Sequence, residues 1–573
     1  ENDIINVAMG LGVGASGTAG VAVEGNVAVN NINNDTLVDV AGASITAAQN
    51  LVVQANSSEH LENYGGALSV GAAGTAGVGV GATVVVNTIS GNTQALVDNS
   101  NLIAQGTGNT GIAVRNYTVG EDGTVSHIDK AVKGLVVTAD SEHEIDNVTV
   151  TSSIGGSGVA AVGGNITADV NEISGETKAN IFNSNINKDQ SQNSVGDVVV
   201  LAHDMADISA DVITVSASGS GTASAAALGT AGTNIIRRST NAVINGNTAS
   251  DAGAQKVFNA KDAKVYALGE RKLHEDVVGV GVAASAAGAA TLAATVSVAE
   301  LSDTTLAAVK NMTGTNHSLD IDAERVANTH SYNNVIALSG SVGSGNVGCG
   351  VTVFDDKSNT QAQLVHADFL SDGYKDINGK VNVLANNKTR VETELAVPQI
   401  AISLGAIAGV AVECMNMEAL VGVTVDDVSL GNTSGKDYTG FNAVANNNLY
   451  NKFTNATASF STFAGAMVGV GTVNINSKTF TDVNNITAYA DDITVLANEQ
   501  RTANAVLVAA DVAAGLTVGV NVMYTNIGDD LDESYDYYRG DTKDGTERTG
   551  TANTTAVQGM VNNGLVGNKE TID

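Results

Sequence analysis

One short pattern constrains this chain more than any other: an apolar residue, any residue, an apolar residue, any residue, then alanine. It is first met as Leu51, Val53 and Ala55. It returns at Leu135, Val137 and Ala139, at Val198, Val200 and Ala202, in a weaker copy at Val265 and Ala267, and at Leu319, Ile321 and Ala323. Val381, Val383 and Ala385, then Phe441, Ala443 and Ala445, then Ile493, Val495 and Ala497 complete the series. The alanines follow one another at intervals from 52 residues (Ala445 to Ala497) to 84 residues (Ala55 to Ala139). A strict alternation on a loose period predicts strands stacked in an array with connections of variable length.

Composition supports that reading. The 573 residues exceed one ordinary compact domain, and the repeats favour a single elongated array over several domains. Hydrophobic residues make up 43%, yet aromatics are 4% and Trp is absent, so the core must be built from Val, Ala, Ile and Leu. Pro398 is the single proline, as expected where nearly every strand is paired on both sides.

Each repeat has three parts. A Gly/Ala/Val-rich block such as Gly66 to Ile89 places Leu68, Val70, Ala72, Val78, Val80, Ala82, Val84 and Val86 on even positions, predicting a core face there and a face of small residues opposite. A corner follows, then Thr-x-Ala-x-aliphatic at Thr93/Ala95/Val97, Thr177/Ala179/Ile181, Thr240/Ala242/Ile244 and Thr360/Ala362/Leu364. The organising strand comes third, with a polar, often His-bearing tail. A repeat of about 60 residues has room for two solenoid coils of about 20–30 residues, which predicts a rod on the order of 100 Å. Immunoglobulin-like modules would need aromatic core markers and turn prolines, and a membrane barrel would need aromatic girdles. The run Val277 to Ala299 is long enough for a membrane helix, but it is made of Val, Ala, Gly, Ser and Thr with little Leu or Ile and occupies the place of the period-two blocks, so no membrane-spanning segment is expected.

Residues 1–526 thus read as a repetitive all-β solenoid with a polar hairpin inserted at 106–133 that projects from the stack. Residues 527–573 read as an acidic, Tyr-rich insertion and a last partial repeat. Cys349 and Cys414 read as small buried residues rather than a disulfide. The chain starts at Glu1 without a leader, which suggests a segment of something longer. The formal net charge of −33 speaks against a nucleic-acid partner and for solvation.

The run from Val84 to Ala95 (VVVNTISGNTQA), followed by Asn99 to Ala104 (NSNLIA), resembles the repeats of large surface proteins of Gram-negative bacteria. These are the filamentous-haemagglutinin-like and leukotoxin-like adhesins exported by type V routes, and the likeness runs from about Val7 to Asn526. The resemblance implies an elongated parallel β-solenoid, a right-handed β-helix, acting as an extracellular or cell-surface stalk. It also implies a receptor or glycan on a host or neighbouring cell as partner. Open strand edges add an expectation of end-to-end self-association.

Candidate chemistry is sparse. Gly12, Gly14 and Gly17 match a dinucleotide pattern, but a strand pattern follows instead of a helix. His60, His143, His203, His274 and His330 follow the alanine at offsets drifting from one to seven residues, so they read as solvated loop histidines and not as a zinc ladder. The acids Asp529, Asp530, Asp532 and Glu533, or Asp541, Asp544 and Glu547, offer oxygens suited to calcium but lack a recognised calcium loop, so no cofactor is expected. Arg539, Gly540 and Asp541 form the tripeptide that some adhesive proteins present to integrins. No nucleophile elbow is discernible. The basic run Lys256, Lys261, Lys264, Arg271 and Lys272 is the one candidate for a polysaccharide-acting groove, and sugar-stacking aromatics are few, so no enzyme is expected. A structural or adhesive stalk is the leading reading, and a self-assembling filament subunit is the alternative.

Overall fold

A computed structural model describes residues 2–190, 195–247, 255–370, 379–402, 405–431 and 438–528. Among these residues the chain is all-β, an elongated parallel β-solenoid with no helix. Two long sheets face each other. The first contains Asn2–Ser16, Leu51–Ala73, Gly134–Ser157, Asp197–Ser220, Ala260–Ser285, the second half of Gly288–Gly340, Lys380–Ile402, Tyr438–Ser461 and Ala490–Ala513. The second is built from the strands that follow each of these, from Ala19–Asn33 to Leu516–Gly528. A small third sheet of Ser44–Ala47, Asn101–Ala104 and Asn185–Ile186 closes one side.

The register confirms the organising pattern. Ala55, Ala139, Ala202, Ala267, Ala323, Ala385, Ala445 and Ala497 pair one after another in a single column. Thr93, Thr177, Thr240, Thr305 and Thr360 do the same on the second sheet. Neighbouring copies of the pattern therefore lie on adjacent strands, and each repeat is one wide coil, not two narrow ones. Nine such coils at about 4.8 Å rise give ~43 Å along the stack, whereas strands of 23 residues or more span ~75 Å across it. The expected 100 Å rod is replaced by a plank whose long dimension lies across the axis.

The loose period also resolves. From the column alanine to the residue that turns the chain out of the second sheet is 44 residues in four coils: Ala55 to Asn99, Ala139 to Asn183, Ala202 to Gly246 and Ala267 to Asn311. Asn99, Asn183, Asn311, His366, Asp427 and Asn485 hold positive φ at this corner, a conformation that Asn, Asp and His tolerate better than most side chains. The turn follows the Thr-x-Ala segment. The corner expected ahead of it is only a break within the second sheet, between Ser90 and Thr93. In the last three coils the span shortens to 43, 42 and 40 residues (Ala323 to His366, Ala385 to Asp427 and Ala445 to Asn485), and most of the variation in length falls on the third side, between this corner and the next first-sheet strand.

The plank is thick at the three-sided end and thin at the other. The thick end holds the main apolar core, with the alanine column packed against Val97, Ile181, Ile244, Phe258, Phe369 and Phe441. Toward the thin edge the facing is the reverse of that expected. Leu68, Val80 and Val84 point outward, and Gly71, Gly77, Gly79, Gly81 and Thr83 point inward. The two sheets approach too closely for anything larger, since a Cβ on Gly71 would fall on the Val78 carbonyl and one on Gly155 on that of Val162. Residues 277–285 end one strand and 288–299 begin the next, so the run of membrane-helix length is two strands of this edge. No helix among the described residues is long and apolar enough to cross a membrane.

Candidate functional site

Even offsets from the column alanine face inward, and odd offsets face outward. That parity sorts the polar residues. At inward positions two and four residues past the alanine, where aliphatics would be expected, lie Asp204, Arg271 and Arg325. Arg238, Asp303 and Asp356 meet them from the second sheet. Arg238 lies 2.6 Å from Asp204, Asp204 2.9 Å from Arg271, Arg271 3.6 Å from Asp303, Asp303 2.7 Å from Arg325, and Arg325 2.6 Å from Asp356. Three guanidinium groups and three carboxyl groups alternate along the stack in full burial. Burial opposes the Asp204 charge, but Arg238 and Arg271 override it and hold this carboxyl far below its usual range. Arg238 also donates to the Gly91 and Ser174 carbonyls, tying three coils together.

A second inward seam is neutral. Asn30, Asn87, Asn171 and Asn234 pass amide hydrogen bonds from coil to coil at 2.8 Å. Three carboxyls are buried beside it, one inward position closer to the thin edge. Asp169 accepts from Asn147, Glu275 from Ser297 at 2.6 Å, and Glu413 from Thr393 at 2.5 Å. Burial pushes them up to about 7, 8 and 8 respectively.

The outer surface of the first sheet carries the inserted hairpin. Strands Ile112–Val119 and Val125–Val132 pair antiparallel, as the sequence suggested. The hairpin does not project. It lies down across successive coils, its Val114, Tyr117 and Val132 packed on Val136, Val199, Leu201, Tyr266, Leu268 and Val326. Its tip is held by Asn328, which donates to the Gly123 carbonyl at 3.3 Å, and by Lys388, which donates to that of Gly120 at 3.0 Å.

Polar contacts fix the register of this strap. Arg115 donates to Asp140 and Glu142, both at 2.8 Å, and Tyr117 stacks on His203 with ring centroids 4.2 Å apart. His203 Nδ1 lies 2.7 Å from Asp140. Burial would lower the imidazole, but its contacts with Asp140 and Glu270 outweigh it and raise it to about 9. A group raised in the folded state stabilises it fully below its ordinary value near 6.5 and ceases to do so as pH passes about 9. Hydrogen exchange of residues 112–132, corrected for intrinsic rate, should therefore stay slow to about pH 7 and quicken toward pH 9. His203→Gln should raise it about 10-fold at neutral pH. Exchange indifferent to both would refute this account of the strap. Between strap and sheet lies a cavity of about 310 Å³ lined by Asn116, Lys130, Asp197, Asp262, Lys264 and Asp320.

The histidines are not solvated loop residues; all five lie on strands. His143 is buried with its Nε2 2.6 Å from Glu59, and His203 is buried under the strap. His274 and His330 share the offset of seven and are paired in register, with Nδ1 atoms 3.2 Å apart and stacked rings. With Asp276, or as His60 with Glu62 and Asp146, these are the described groups whose donor atoms could hold a metal ion. Parity of the offset was the signal in the sequence that would have separated the inward His143 from the four outward histidines, of which the strap buries His203.

The basic run is dispersed. Arg271 enters the interior ladder, Lys272 turns outward to Glu270 at 2.7 Å, and Lys264 donates to Asn116 of the strap at 3.1 Å. Gly12 and Gly14 lie in a first-sheet strand and Gly17 in the turn after it. Cys349 and Cys414 are free thiols, and both are half-exposed on the outer surface of the second sheet rather than buried. Arg539, Gly540 and Asp541, with the acidic clusters around them, lie outside the described residues. An open groove of about 600 Å³ on the second sheet is lined by Glu176, Arg237, Ser239, Asp303, Lys357 and Asn359. No known protein family, no curated protein and no solved structure matches the chain.

Proposed function

We propose that the chain is a structural stalk segment of a secreted or cell-surface bacterial filamentous protein, presenting its loops and strapped face for adhesion to a receptor or glycan. The observation that carries this reading is the unbroken register of one alanine column through eight coils, which makes the body a stiff scaffold. The resemblance of the repeats to large adhesins supports the same reading. On such a scaffold, binding belongs to the additions, here the strap with its cavity and the segments on the third side.

A second reading is a self-assembling subunit of an extracellular filament. It is favoured by the strand edges of the first and last described coils, each paired on one side alone. Electron microscopy of natively isolated protein tests both. Single flat particles or thin stalks that bind cells support the first, continuous filaments with an axial repeat support the second, and a collapsed globule would dispose of both.

A further inference from the structure

The outward surface of the second sheet near the thin edge has one property throughout. Five successive outward columns contain no charged residue in any of the nine coils. One column reads Val23, Val80, Gly164, Ala227, Leu292, Val347, Ala408, Ala466, Val518. Two columns on it reads Val27, Val84, Ala168, Ala231, Val296, Val351, Val412, Val470, Val522. Charge returns only at the sixth column, with Glu172, Glu300 and Asp355. Leu292 is 52% exposed and Ile166 64%. Five columns along the strands by nine coils make a flat face of roughly 33 by 43 Å, or ~1,400 Å². Exposed apolar patches on monomers rarely exceed a few hundred Å². Parallel sheets, moreover, are ordinarily covered on both faces. Where apolar residues emerge on the first sheet at the thick end, this chain lays a strap over them. Nothing among the described residues covers the thin-edge face.

We propose that this face is the contact between two copies of the chain, packed sheet to sheet about a two-fold axis with their thin edges pointing in opposite directions. The proposal rests on the assembly reading above and names the surface through which copies join, which is distinct from the strand edges at the ends of the stack. The area exceeds the ~800 Å² per partner of a standard stable interface. The flat Val/Ala/Gly relief suits face-to-face sheet packing at about 10 Å. Charge selects the arrangement. With a net charge of −33, copies repel wherever their charged halves come together, and opposed packing keeps those halves on opposite sides of the dimer. A bilayer fits less well, because the first and last coils would carry unpaired backbone groups into hydrocarbon.

Cys349 and Cys414 sit within this face as natural reporters. The test is sedimentation velocity of the full chain over a concentration series, with short bismaleimide cross-linking of these thiols. The variant carries Leu292→Glu and Val347→Glu, which are neighbours in register, and the control is Val280→Glu on the outer surface of the first sheet. The expected result is a wild-type dimer that cross-links, a double variant whose dissociation constant rises at least about 100-fold, and a control like wild type. Unchanged circular dichroism and melting in the double variant would show that its fold is intact. A wild-type monomer at ~100 μM overturns the proposal. Association that persists in the double variant without thiol cross-linking overturns it too, leaving end-to-end assembly standing. A monomer that binds phosphatidylcholine vesicles through Leu292 and Val347 overturns it in favour of a bilayer.

Discussion

Asp204→Asn should be among the most damaging single substitutions in this protein, costing about 3–5 kcal/mol. The carboxylate lies between Arg238 and Arg271 with all three groups excluded from water, and its loss leaves two guanidinium groups buried without their anion. Attraction between the members of such a ladder scarcely exceeds the cost of desolvating them, so it adds little net stability while all are present. The asymmetry appears on removal. Arg238→Met in the Asp204→Asn background should restore part of the loss, because the two sites share one interaction. Urea denaturation measures the sum, and hydrogen exchange locates it. The weakening should centre on the coils from Ser141 to Asp356, since a stack of repeats loosens locally before it unfolds as a whole. A loss below ~1 kcal/mol, or a double variant no better than the sum of its parts, would show that water reaches the ladder.

The second large effect is a stability that improves on acidification. Asp169, Glu275 and Glu413 are buried without a cation and titrate near 7 to 8 when folded, against ordinary values of 3.8 to 4.5. For an acid raised in this way, the stabilising contribution is complete below the ordinary value and is lost as pH climbs through the folded one. The melting temperature should therefore fall between about pH 5 and pH 8 and level off above it. Each tenfold displacement of an ionisation equilibrium is worth ~1.4 kcal/mol, so each group contributes a few kcal/mol at most. The expected change is on the order of 5 °C. General self-repulsion in an acidic protein would give the same sign, and Glu275→Gln separates the causes. The amide keeps the acceptor for Ser297 without the charge, so this variant should melt higher than wild type at pH 8.5 and close to it at pH 5.5. A variant that follows wild type at both would return the effect to net charge.

Much of the architecture was legible because alternation and spacing are local quantities. The alanine column and the Thr-x-Ala column both stand in the register that their sequence pattern implied. What failed was any step that needed the distance between the two sheets. Bulk ordinarily marks a core, yet at the thin edge Gly71 and Gly77 permit an approach so close that Val78 and Val80 are turned outward. Cys349 shares that outer surface and stands outside the core for the same reason. Coil width failed because a period alone does not say how often the chain turns within it. The ladder was legible in principle, since Asp204 and Arg325 stand at even offsets from their alanines. The contact of Tyr117 with His203 was not, because an insertion's sequence carries no information about which neighbouring coils it will lie on.

The span from alanine to corner, 44 residues in four coils and 40 to 43 in the last three, leaves most changes of length to a single edge of the plank. Evolution could lengthen that edge from a few residues to the whole 106–133 hairpin without moving one partner in either long sheet. The same freedom is open to the protein engineer. A foreign peptide grafted between a corner residue such as Asn311 and the strand that follows would be displayed in a row with its neighbours, spaced by one strand width. The opposite, glycine-lined edge varies by only a few residues from coil to coil.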